Sequence, residues 1–103
     1  SLNSLFNKFS LSEIFISSIT VFELFLRETN LNIIRDFVDS NNILFLDDIC
    51  AVKASEIFKD LKKKGKPIDY RDLFIASICV VNNCKLVTFN KKHFENVKEL
   101  KLI

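Results

Sequence analysis

At 103 residues the chain has room for one small domain with a modest but real core. Its net charge of +2 is too small to mark a nucleic-acid binder by charge alone. No apolar run approaches the roughly 18 residues that read as a membrane span, and the N-terminus has no basic-then-apolar signal layout, so a cytoplasmic protein is expected.

In chain order, residues 1–9 carry Leu2, Leu5, Phe6 and Phe9 at the spacing of a short amphipathic helix. Residues 13–16 read as a strand. A helix follows over 19–27, where Thr20-x-x-Glu23 fits a capping box and Ile19, Phe22, Phe25 and Leu26 recur on one face. Asn30 is the expected cap of a helix through Val38, and Asn41-Asn42 breaks it before a strand over 43–46. Asp47 or Asp48 caps the next helix, whose inner face is Cys50, Ala54, Ile57, Phe58 and Leu61. Its end is marked by a lysine-rich last turn, Gly65 at C′ and Pro67 beyond.

Asp69 caps a further helix that is apolar nearly all round over 73–81 and therefore belongs in the core. Leu86-Val87 forms a short strand ending at Thr88-Phe89-Asn90, and residues 100–103 form a last one. Strands alternating with helices predict an α/β domain with a mainly parallel sheet. With one Gly, one Pro and no linker or repeat, residues 1–103 read as a single domain.

Cys50 and Cys79 lie in apolar helical stretches, where thiols act as small buried hydrophobes. No C-x-x-C pair is present, so neither a zinc nor a redox centre is expected. The lone His93, with no nearby Cys or second His, is likewise not expected to bind a metal. No glycine-rich phosphate loop follows any strand, which argues against a small-molecule-binding α/β domain. Lys62, Lys63, Lys64 and Lys66 suit a solvated helix C-terminus, while Lys91 and Lys92 follow the strand end at Asn90.

Glu23 and Asp72 are the acids that stand on helices beside predicted strands. Each has a structural reading as well: Glu23 as the reciprocal member of a capping box, Asp72 as a first-turn acid favoured by the helix dipole. Thr88 and Asn90 read equally as strand-end turn residues.

Three segments in order resemble the PIN-domain ribonucleases, especially those of the VapC type. Ser17-Ser18-Ile19-Thr20-Val21-Phe22-Glu23-Leu24 is similar to their S-x-x-T-x-x-E-L segment. Asp72-Leu73-Phe74-Ile75-Ala76-Ser77 resembles their D-x-x-I-A-A helix, and Leu86-Val87-Thr88-Phe89-Asn90 their L-V-T-x-N strand and turn. The resemblance implies a PIN-like three-layer α/β/α domain and a metal-dependent endoribonuclease that cleaves RNA phosphodiesters. It implies Mg²⁺ or Mn²⁺ held by Glu23 and Asp72, with Asn90 in the catalytic set and Thr20 and Thr88 supporting. The partners implied are RNA, an antitoxin protein and a second copy of the chain.

This sequence departs from the family pattern twice. No strand carrying the family's first acid stands ahead of Ser1 in these residues, so an N-terminally incomplete domain is expected, with a gap, a substitute strand or an unusual pairing where the family's first central strand belongs. The fourth acidic position is His93. Two carboxylates in place of three or four predict weak Mg²⁺ binding and weak cleavage by these 103 residues. The competing expectation is a non-catalytic PIN-like module that binds an antitoxin or other protein.

Overall fold

A computed structural model describes residues 14–103, in two compact units divided after Phe45. The helix expected over residues 1–9 lies outside the described residues.

In the first unit, β1 (Phe15–Ser17) pairs in parallel with β2 (Asn42–Leu44), placing Ile16 opposite Ile43. Parallel neighbours require a crossover, here made by α1 (Ser18–Phe25) and α2 (Leu31–Asp39). The start of α1 differs from the expected capping box. Ser17, not Thr20, is the N-cap: its backbone is extended (φ −77°, ψ 154°) and its Oγ accepts the Thr20 N–H at 3.0 Å. β1 continues through Ser17, so the chain is still extended there, and its hydroxyl meets the first orphan amides. Thr20 becomes N3, its hydroxyl 2.9 Å from that of Ser17, and Glu23 falls a turn further into the helix.

Asn30 does precede α2, but in the left-handed conformation (φ 60°, ψ 31°) and with no side-chain capping bond. The helix is held instead by Ile34 and Val38, buried one turn apart, and by the Arg35 guanidinium 4.5 Å over the Phe25 ring.

In the second unit, α3 (Asp48–Lys63) is capped by Asp47, whose Oδ1 accepts the Cys50 N–H at 2.8 Å. That bond draws the Asp47 carboxyl below its ordinary value. Cys50, Ala54, Ile57 and Leu61 form the buried stripe, while Phe58 is half-buried and meets the Tyr70 ring at 6.0 Å. The helix ends as expected. Gly65 takes φ +65°, its N–H bonds the Lys62 carbonyl at 3.1 Å, and the Lys66 N–H reaches back to Leu61 at 2.9 Å.

Asp69 caps α4 (Tyr70–Val81), accepting the Arg71 N–H at 2.9 Å. Leu73, Ile75, Ala76, Ser77, Ile78 and Cys79 are buried, as the apolar run predicts. The one hydroxyl among them is satisfied, because Ser77 Oγ donates to the Leu73 carbonyl at 2.7 Å. The helix closes with the same motif as α3, except that Asn83 (φ 53°) supplies the left-handed residue and the Cys84 N–H returns to Cys79 at 2.8 Å.

β3 (Lys85–Leu86) pairs in parallel with β4 (Lys101–Leu102), and the segment between them is pinned by buried Phe94, Val97 and Leu100. The strands predicted at four places are thus all present, each within a few residues. Among the described residues they form two parallel pairs, one in each unit.

Candidate metal centre at Asp72 and His93

Asp72 stands at the third position of α4. Asp69 already caps the helix, so the Asp72 carboxylate is not needed for that bond. Its side chain is 20% exposed, and its Oδ2 lies 3.3 Å from Nδ1 of His93. His93 closes a 3₁₀ turn (Lys91–His93) in which its N–H bonds the Asn90 carbonyl at 3.0 Å and the Phe94 N–H bonds that of Lys91 at 3.0 Å. Phe94 is buried, so the backbone beside His93 is anchored while the imidazole remains 58% exposed.

The turn from Thr88 to His93 lines an open concavity of about 530 Å³. Thr88 Oγ1 accepts the Asn90 N–H at 3.1 Å, which folds the strand end back on itself. Lys91 and Lys92 add two cations to this surface, and Phe89 stands 82% exposed within it.

Of the predicted site residues, Thr88 and Asn90 meet each other, and Thr20 is engaged at the Ser17 cap. Glu23 is half-buried on α1 in the first unit, where its carbonyl receives the Leu26 N–H at 3.3 Å. Asp72 is joined by His93, a residue not expected at a metal. Sequence spacing could not show this contact, because the two lie on separate elements. The available signal was the position of His93 directly before an apolar anchor. Among the described residues no three His, Cys, Asp or Glu side chains gather into a metal-sized cluster.

An acid on the first turn of a buried helix, a polar strand-end turn beside it and paired parallel strands are the marks of one fold class. The PIN domain pattern matches residues 2–100, and the chain belongs to that family. Its relatives include Ribonuclease VapC1 of Methanocaldococcus jannaschii, 40% identical over 76 residues, or 74% of this chain and 54% of that protein. The chain thus spans about half the length of that relative. The tRNA(fMet)-specific endonuclease VapC of Shigella flexneri is 31% identical over 93 residues, covering 84% of this chain and 70% of that protein. Among solved structures, DNA-bound VapBC from Salmonella typhimurium matches with a TM-score of 0.90 at 28% identity, over 99% of this chain and 82% of that chain. VapBC-1 from nontypeable Haemophilus influenzae matches at 0.78 and 28%, over 87% and 72%.

Proposed function

We propose that the protein is a metal-dependent endoribonuclease of the VapC type, acting in the cytoplasm and held in check by an antitoxin. The observation that carries this reading is the PIN match over residues 2–100, which spans both units and includes every proposed site residue. For the same reason we take the two units as parts of one domain.

Glu23 and Asp72 are the proposed metal-holding carboxylates, for Mg²⁺ or Mn²⁺. The donor chemistry at Asp72 fits: its carboxylate is solvent-accessible, carries no capping bond and stands on a rigid helix. Hydrated Mg²⁺ or Mn²⁺ keeps several waters and needs few protein oxygens. Such an ion supplies charge stabilisation and a more acidic water for attack on a phosphodiester. The chain's own groups do the rest. Lys91 and Lys92 bind the substrate's phosphates, Asn90 orients polar groups at the strand end, and Thr88 and Thr20 hold their local turns.

A protein partner is supported by the first unit, where Phe22, Leu26 and Ile33 are each more than half exposed. The matched solved structures are VapBC assemblies. A second copy of the chain is the alternative occupant of such a surface.

The test is cleavage of RNA with Mg²⁺ or Mn²⁺ against an EDTA control, using the whole protein with any residues its gene places before Ser1. Asp72→Asn should lower cleavage at least about a hundredfold, equivalent to about 3 kcal/mol of lost transition-state stabilisation. Undiminished cleavage by the folded variant would remove Asp72 from the site. Absence of cleavage by the whole protein, with antitoxin binding intact, would leave the module as a binding domain.

A further inference from the structure

We propose that His93 is a direct ligand of the metal held at Asp72, giving a mixed oxygen–nitrogen site that favours a transition-metal ion such as Mn²⁺ over Mg²⁺. The inference rests on the functional reading above, since it concerns the identity of the ion at the same carboxylate.

The geometry is the first argument. Two neighbouring ligands in an octahedral shell, each about 2.1 Å from the ion, stand about 3.0 Å apart. Asp72 Oδ2 and His93 Nδ1 stand 3.3 Å apart, a spacing close to that of two such ligands. Anchoring is the second argument. Each donor directly precedes a buried residue, Leu73 or Phe94, so neither backbone has to be ordered when the ion arrives. Access is the third, because the imidazole is 58% exposed and leaves coordination positions open to water and substrate.

The choice of ion follows from ligand chemistry. Mg²⁺ demands oxygen and rarely accepts imidazole, whereas first-row transition ions accept nitrogen and oxygen together. Replacing a carboxylate by a neutral imidazole also removes a negative charge, which weakens a hard, strongly hydrated ion most.

The experiment measures binding of Mn²⁺ and of Mg²⁺ by calorimetry in the untagged whole protein and in His93→Ala, His93→Gln and Asp72→Asn. Pulsed electron paramagnetic resonance of bound Mn²⁺ reads nitrogen coordination directly. These 103 residues contain one histidine, so an imidazole signal that His93→Ala removes has a single origin. His93→Ala should weaken Mn²⁺ about tenfold or more and change Mg²⁺ by less than about twofold. His93→Gln retains a donor toward Asp72 but lacks the ring nitrogen, so it should lose the Mn²⁺ preference equally. Equal weakening of both ions, or Mn²⁺ bound without an imidazole signal, would overturn the proposal and leave the metal reading standing. Failure to bind Mn²⁺, or binding unaffected by Asp72→Asn, would overturn both.

Discussion

Asp69 and Asp72 sit three residues apart at the head of α4, and the cap made by Asp69 and the metal binding proposed for Asp72 are duties that mutation can separate. Asp69 Oδ1 accepts the Arg71 N–H at 2.9 Å, so Asp69→Ala leaves an orphan amide at the start of the central helix. Losing such a cap costs about 1 kcal/mol, which for a domain of this size lowers the melting temperature by about 5 °C. Asp72→Asn keeps the side-chain shape and leaves that cap untouched. Its structural loss is limited to a first-turn charge interaction and the largely exposed contact with His93, together about 1 kcal/mol or less. The assay pairs thermal melts by circular dichroism with Mn²⁺ calorimetry on the same samples. Asp69→Ala should melt early and still bind metal below its transition, while Asp72→Asn should melt near the parent and bind weakly. If Asp72→Asn melted as early as Asp69→Ala and bound Mn²⁺ undiminished, Asp72 would be a structural residue and the site would lie elsewhere.

Ile78 is fully buried, so Ile78→Ala should cost about 3 kcal/mol from lost transfer and the cavity left behind, measured by urea unfolding. Gly65→Ala meets no atom within 4 Å but must hold φ +65°, so a loss of about 1 kcal/mol from backbone strain alone is expected in the same assay. Hydrogen bonding to the Cys50 amide lowers the Asp47 carboxyl from 3.8, so its stabilising effect is complete above that pH and fades as acid titrates it. Asp47→Asn should therefore show a smaller drop in urea midpoint below pH 3.8 than the parent. Burial pushes the Cys79 thiol up to about 11, so Cys79 should resist thiol reagents near neutrality and react only after denaturation, as peptide mapping would show.

Much of the fold was legible because its signals were redundant. The end of α3 combined a lysine-rich turn, the only glycine and the only proline, and all three agreed. The depth of α4 followed from a run too apolar to face water on any side. Where one signal stood alone, it misled. Ser17 and Thr20 are both good caps, and the choice between them was made by how far β1 extends, a tertiary matter that local pattern cannot register. Asn30 marked a helix start correctly but by its tolerance of left-handed backbone rather than by its side chain. Of the proposed site, only the acidic side was legible. Asp72 carried a first-turn position that invited attention, whereas the worth of His93 came from a contact between a helix and a distant turn.

That contact has a common physical basis on both sides. A helix buried around its circumference cannot carry a charge on its middle turns without a large desolvation cost. Its polar chemistry is confined to its ends, and Ser77, the polar exception within α4, bonds the helix's own backbone. Asp72 is the last residue before that burial begins at Leu73. His93 repeats the arrangement on the other side, as the last residue before buried Phe94. In each case a neighbouring apolar anchor fixes the backbone while the functional atoms stay wet. Full burial of either donor would have made its charge expensive, and full exposure would have left its position undefined. The carboxylate and the imidazole therefore meet where rigidity and hydration coexist, which is the condition the proposed exchange of a hydrated ion requires.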